Sequence, residues 1–490
     1  MGLAATSLQA SVRLSKIFSS HAVLQRDQPI HVWGWAAPEE RISVSLNGPA
    51  QTTAADRLGN WSVYLSPQSA GGPYTLTAAG ANKIVLDDIM IGDVWFASGQ
   101  SNMEMPLKGF VGSAPLKNGA EEIRNANQPL LRLLFIPHKA SAYPLADFEG
   151  KVGWTTCTPE TAADFSAVAY FFGREIAAKE HVTVGLIDST WGGTPGEAWV
   201  SGDTLTSDAS FMPVFATWTK MANQQTAMAA TLAAEKAEDE AAKKNHVEPP
   251  KHQWHPNPDS YNPSWLFNGM VSPAVGFALK GVIWYQGETN SRLDRAALYH
   301  KVFSGLIADW REKWREGDFP FLFVQISSFK SSPNEEWAQV REAQRRTLSL
   351  ANTGMAVTID VGDPDNVHPA DKQTVGARLA LAGRAIAYHE SLEYSGPLFR
   401  QASTDGESIR IWFDHADSGL AAKGDALSGF EVAGDDHRFV PAAARIDGKS
   451  VLATSSSVAS PKFVRYGWRN VPEVNLYNAA GLPASPFTSE

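Results

Sequence analysis

The sequence predicts an α/β fold: a parallel sheet with helices on both faces, flanked by N- and C-terminal β-sandwich-like regions. Three observations predict it. In the middle of the 490-residue chain, apolar strand-length segments at 93–98, 131–136, 182–187, 279–285, 320–326 and 355–360 alternate with longer stretches. Those stretches carry helix-length patterns at 166–179, 295–314, 336–350 and 370–388, and such alternation implies parallel strands joined by crossover helices. On either side the pattern changes to short alternating runs broken by Gly, Pro and Asn, as antiparallel β structure requires.

The first region, 12–90, shows those runs at Ile30-His31-Val32-Trp33-Gly34-Trp35, Ile42-Ser43-Val44-Ser45-Leu46, Trp61-Ser62-Val63-Tyr64-Leu65 and Tyr74-Thr75-Leu76-Thr77. It is expected to be a β-sandwich domain. The α/β domain is expected over 91–392, interrupted at 205–262 by a solvated excursion. That excursion holds an Ala/Glu/Lys helix, Ala227 to Lys244, and then five prolines between His246 and Pro263. After about 392 the β pattern returns in Ser408-Ile409-Arg410-Ile411-Trp412-Phe413 and Ser450-Val451-Leu452-Ala453-Thr454, so 393–478 is expected to be a C-terminal β domain.

Composition narrows the function. The net charge is −10 and no basic stripe appears, which argues against a nucleic-acid partner, because phosphate binding needs a concentrated basic surface. No apolar run approaches the ~20 residues that span a bilayer, so no membrane partner is expected. Met1-Gly2-Leu3-Ala4-Ala5-Thr6 lacks the basic and apolar regions of a signal peptide. A secreted or periplasmic location after removal of a signal is the expectation, with the cytoplasm as the alternative. The single cysteine, Cys157, excludes an intrachain disulfide and is expected to be an incidental thiol.

Four polar segments follow predicted strands, and strand ends of one parallel sheet converge on one edge. In Asp93-Val94-Trp95-Phe96-Ala97-Ser98-Gly99-Gln100-Ser101-Asn102-Met103 an apolar strand meets a glycine and then delivers a serine hydroxyl. Such a hydroxyl is a nucleophile only beside a base. A strand closed by a serine turn would look the same. In Val361-Gly362-Asp363-Pro364-Asp365-Asn366-Val367-His368-Pro369, Asp365 and His368 are three apart. That spacing suits a carboxylate that orients an imidazole toward a serine; Asp360 and Asp363 compete for the role. In Trp284-Tyr285-Gln286-Gly287-Glu288-Thr289-Asn290 the amides are candidate donors to a developing oxyanion. In Asp188-Ser189-Thr190-Trp191-Gly192-Gly193-Thr194 the double glycine offers backbone N–H groups to the same oxygen.

These blocks resemble those of SGNH hydrolases, and their wording is similar to the sialate O-acetylesterase family of carbohydrate acetylesterases. Further similar stretches are Val23-Leu24-Gln25-Arg26, Asp309-Trp310-Arg311, Phe319-Pro320-Phe321, Arg341-Glu342-Ala343-Gln344 and Val464-Arg465-Tyr466-Gly467-Trp468. The resemblance runs from about 12 to 487 and implies a flavodoxin-like sheet and a Ser-His-Asp acyl-enzyme mechanism. Ser101 then matches the nucleophile, His368 the base and Asp365 the acid. The oxyanion and substrate-binding set would come from the Ser101 N–H, Gly192, Gly193, Gln286, Gly287, Asn290, Gln100 and Glu288. The third block departs from the simple Gly-x-Asn-Asp pattern, so Gln286 and Asn290 both stand as the amide donor. The implied activity is removal of acetyl esters from a sugar, either sialic acid or a plant polysaccharide such as hemicellulose. An acetylxylan or xyloglucan esterase, or an inactive carbohydrate-binding relative, is the alternative.

No cofactor is expected. His246, His252, His255 and Glu248 invite a metal, but their proline-rich stretch is a poor scaffold for one. Trp254, Tyr261 and Trp265 are candidates to line a sugar cleft.

Overall fold

The computed structural model describes residues 11–222, 225–250, 252, 255 and 257–490. The N-terminal hexapeptide and Trp254 lie outside the described residues.

The central strands are β1 (Lys83–Gly99), β2 (Gln128–Phe135), β3 (Val184–Thr190), β4 (Gly281–Tyr285), β5 (Phe321–Val324) and β6 (Thr353–Ala356). They lie in the order β2-β3-β1-β4-β5-β6, with every neighbouring pair parallel. Residues Val94 to Ala97 of β1 are fully buried, as expected of a strand covered on both faces. Successive side chains of a strand point to opposite faces. Trp95 meets Phe172 (4.8 Å between ring centroids). Phe96 meets Trp310 and Trp314 on the other side (5.5 and 5.8 Å). Helices Ala167–Glu180 and Tyr299–Trp314 therefore cover opposite faces. The first packs with Lys372–Ala387, the second with Trp337–Thr347. All four helices were legible from the spacing of apolar residues.

Two expectations are corrected. The sheet is mixed rather than purely parallel: Thr155–Cys157 pairs antiparallel with β2, and Gly71–Ala79 pairs antiparallel with β1. The boundary drawn at 90/91 falls inside one strand, because β1 is 17 residues long and runs from the N-terminal β region into the central sheet. A single apolar core extends from Val12 through Ala387. Toward the C-terminus, strands from Leu398–Asp405 to Phe487–Thr488 surround a separate core that includes Ile409, Ile411, Val432, Val451, Tyr466 and Phe487.

The excursion contains the expected helix, Gln225–Lys244. Among the described residues no helix is long and apolar enough to cross a membrane.

Candidate active site

Strand β1 ends beside β4. A Cβ on Gly99, whose φ is +135°, would stand 2.2 Å from the Tyr285 carbonyl oxygen, so only glycine permits the turn here. The Gln100 N–H then donates to that same oxygen at 3.0 Å. Ser101 opens the four-residue helix Ser101–Glu104 at the C-terminal edge of the sheet. Its Oγ lies 2.8 Å from Nε2 of His368.

His368 comes from the loop between β6 and helix Lys372–Ala387. Its N–H donates to Asn366 Oδ1 at 3.0 Å, and its ring meets the Phe110 ring edge-on at 5.4 Å. Burial, assisted by the nearby Lys372, lowers its pKa to about 4. The imidazole is therefore neutral at pH 7 and its Nε2 lone pair can accept the Ser101 proton.

The structure does not bring Asp365 to this pair. Its side chain is 77% exposed and bound to Lys330 Nζ at 2.9 Å. The reason is local. Asp363 Oδ1 accepts the Asp365 N–H at 2.9 Å, and the Asn366 N–H returns to the Asp363 carbonyl at 3.2 Å. This tight turn sends the Asp365 carboxylate outward. The competing acid Asp360 is held by both nitrogens of Arg378, at 2.6 and 2.8 Å.

Neither amide proposed for the oxyanion is free. Gln286 is fully buried; its Nε2 donates to Thr194 O (3.1 Å) and Asn290 Oδ1 (2.7 Å), and its Oε1 accepts from Tyr299. Asn290 donates to Glu197 Oε2 at 2.8 Å and accepts the Gly196 N–H at 2.8 Å. Both amides brace the loop that carries Gly196. Gly192 does lie against Ser101, since a Cβ there would be 3.2 Å from Ser101 Cβ. Its N–H, however, donates to Glu104 Oε2 at 2.5 Å. Gly193, at φ +72°, follows in the same turn. Gln100 accepts the Thr289 N–H at 3.2 Å through Oε1 and thereby ties the nucleophile turn to the third block. Gly287 packs against Ile326 and Val340, which a Cβ would approach to 2.9 and 3.0 Å.

Asn102, Lys372, Glu104 and His138 escaped the sequence. Asn102 Nδ2 donates to Glu288 Oε1 (2.6 Å) and to the Val367 carbonyl (3.0 Å), while Lys372 Nζ donates to Asn102 Oδ1 at 2.5 Å. Asn102, Glu288 and Lys372 are all buried. Glu104 also binds His138 Nε2 at 2.9 Å, and the His138 ring lies flat on Trp191 at 4.4 Å. The available signal was Lys372, a lysine in the first turn of a predicted helix four residues after His368.

The histidines of the excursion are paired with carboxylates of helix Gln225–Lys244: His252 with Asp239 at 3.0 Å and His255 with Glu235 at 2.9 Å. Among the described residues no group of three or more His, Cys, Asp or Glu could hold a metal. Tyr261 is buried beneath the Arg295 guanidinium, 5.2 Å from its ring centre, so it does not face a cleft. Burial pushes the Cys157 thiol up to about 12, which keeps it protonated and inert.

Residues 251–385 match the family model described as carbohydrate esterase, sialic acid-specific acetylesterase. The human sialate O-acetylesterase is 30% identical over 97% of this chain and 92% of its own length. The rat sialate O-acetylesterase is 29% identical over 97% and 94%. Among solved structures, a carbohydrate acetylesterase from Xanthomonas citri superposes with a TM-score of 0.84 and 38% identity, covering 98% of this chain and 99% of that one.

Proposed function

We propose a mechanism for this chain, which belongs to the sialate O-acetylesterase family of carbohydrate esterases, in which Ser101 is the nucleophile and His368 the general base. The chain is a carbohydrate O-acetylesterase, a serine carboxylic-ester hydrolase. The observation that carries the mechanism is the 2.8 Å contact between Ser101 Oγ and His368 Nε2 at the sheet edge.

In the first half-reaction Ser101 Oγ attacks the acetyl carbonyl while His368 takes its proton. The sugar hydroxyl then leaves with that proton. In the second half-reaction His368 takes a proton from water as water attacks the acetyl-enzyme, then returns it to Ser101 Oγ as acetate departs. The N–H groups of Ser101 and Gly193 are the proposed oxyanion donors. Neither makes a hydrogen bond to the protein among the described residues, and Gly193 adjoins Gly192, which touches Ser101. Asp365, bound to Lys330 on the solvent side, takes no part in this mechanism, which is that of a Ser–His pair.

The proposal extends to the finer fold. Leaving out β2, the order β3-β1-β4-β5-β6 is 2-1-3-4-5 in chain sequence, the flavodoxin-like order, and it supports an SGNH hydrolase core. We propose two units: 12–392, in which the N-terminal β region and the α/β region share β1 and one apolar core, and 393–478 with its own core. Were acetylated xylan or xyloglucan the substrate, its size would keep it outside the cell membrane and the site of action would be secreted or periplasmic.

The substrate is an acetylated sugar. Acetate release from O-acetylated sialic acid, acetylated xylan and acetylated xyloglucan tests this, and the sugar that gives the highest kcat/KM names the preferred class. No acetate from any of the three would overturn the proposal.

A further inference from the structure

Among the described residues the Ser101–His368 pair has no carboxylate bonded to the imidazole, yet something must hold the ring in place. The mechanism so far leaves three buried polar groups unused, and they meet at one amide. Asn102 directly follows Ser101, and its Nδ2 binds the carbonyl of Val367, the residue directly before His368 (3.0 Å). One amide therefore bridges the chain segments that carry the nucleophile and the base.

The orientation of that amide is fixed from both ends. A cation, Lys372 Nζ, sits on Oδ1 at 2.5 Å, and a carboxylate, Glu288 Oε1, sits on Nδ2 at 2.6 Å. A flipped amide would put NH2 against ammonium and C=O against carboxylate, so the observed rotamer is favoured where Lys372 and Glu288 are charged; burial raises the Glu288 pKa and works against its charge. Burying three polar side chains is costly unless each is paired. Glu288 Oε2 nonetheless has no hydrogen-bond partner among the described residues, so the cluster is a poor device for stability alone.

We propose that Asn102, clamped between Glu288 and Lys372, holds the segment that carries His368 against Ser101. This deepens the Ser101–His368 reading and rests on it. Lys372 is faced by Glu288 from the third block, by Asp371 next in the chain with its partner Lys117 (2.9 Å), by the Tyr285 ring at 5.5 Å and by His368. Burial lowers Lys372 to about 7, against the pull of Glu288 and Asp371. As pH falls, Lys372 is thus charged before His368 takes a proton, and its charge opposes that step. Asn102, Glu288 and Lys372 are positioning residues, since none touches the reacting atoms.

A fluorophosphonate probe reads the pair without any sugar. Ser101 Oγ forms a bond to phosphorus, fluoride leaves with the P–F electron pair, and the serine proton passes to His368. The labelling rate against pH is measured for wild type, Lys372→Met and Asn102→Ala, with the unfolding midpoint of each. Lys372→Met is expected to lower the plateau rate about 100-fold, as small misplacements of reacting groups do, and to move the acid limb up by roughly half a unit to one unit. Asn102→Ala keeps the cation, so it is expected to lower the plateau similarly without moving the limb upward. A merely structural role would lower the midpoint and leave the plateau rate of the folded protein where it was. Folded Lys372→Met or Asn102→Ala labelled at the wild-type rate overturns the proposal. If Lys372→Met does not fold, Asn102→Ala alone decides. Failure of wild type to label at Ser101 would instead sink the Ser101–His368 reading.

Discussion

Lys330 Nζ binds the Asp365 carboxylate at 2.9 Å, and both side chains are largely exposed. The acid three residues before the base is thus engaged on the solvent side of its loop. Exposed ion pairs contribute about 0–1 kcal/mol, so little is lost when this one is broken. Asp365→Asn is expected to keep kcat/KM for acetate release within about threefold of wild type, whereas His368→Ala should lower it by 10³-fold or roughly more. A drop of the same order for Asp365→Asn would restore the acid to the mechanism.

The pH profile follows from His368. Its folded pKa is about 4, below the ordinary 6.5, chiefly through burial and then through Lys372. The sign is that of a depressed group: the base form, needed to accept the serine proton, predominates above about 4 and disappears below it. The neutral imidazole also favours the folded state fully above 6.5, and that contribution is lost as pH falls from 6.5 to about 4. Acetate release is expected to hold its kcat/KM from neutrality down to about pH 5 and to fall by half near pH 4. A half-point at 6 or above would show that the imidazole is not held neutral.

Asn290 separates a structural role from a catalytic one. Removing its amide leaves the Gly196 N–H and Glu197 Oε2 without that partner in a buried site. Each orphaned group costs about 1–3 kcal/mol, so Asn290→Ala should lower unfolding free energy by about 3 kcal/mol. The measurement is chemical denaturation. Unchanged stability with a selective fall in kcat would return Asn290 to the oxyanion site.

Arg341 ties the C-terminal β structure to the catalytic sheet. It is fully buried and donates to the carbonyls of Ile326 and Ser327 on one side and of Arg469 and Asn470 on the other. Burial lowers its pKa to about 9. Arg341→Met leaves four carbonyls without this donor, and the expected loss is about 3 kcal/mol or more by denaturation, since each buried orphan is penalised. Stability within about 0.5 kcal/mol of wild type would mean the two parts are held by other contacts.

The fold was legible where periodicity is strong. Segments such as 93–98 and 166–179 stand in the structure as parts of β1 and of helix Ala167–Glu180. Their apolar patterns record burial on two faces or on one. The boundary at 90/91 was not legible, because β1 changes from alternating to continuous burial within a single strand, and composition cannot distinguish that from a linker. At the site, the meeting of Ser101 and His368 was legible because both follow strand ends of one sheet, which converge on one edge. Asp365 was misjudged because spacing alone does not reveal the turn that points it at Lys330. Asn102 and Lys372 were missed because their importance lies in a contact between segments 270 residues apart. Gln286 and Asn290 are the types an oxyanion site needs, but the same amides serve equally well to brace a loop.

The most direct test of the central claim is acetate release by Ser101→Ala from whichever acetylated sugar wild type prefers. With Ser101 as nucleophile, kcat is expected to fall by about 10⁴-fold or more, with the unfolding midpoint unchanged. Acetate release at a rate near wild type would contradict that role.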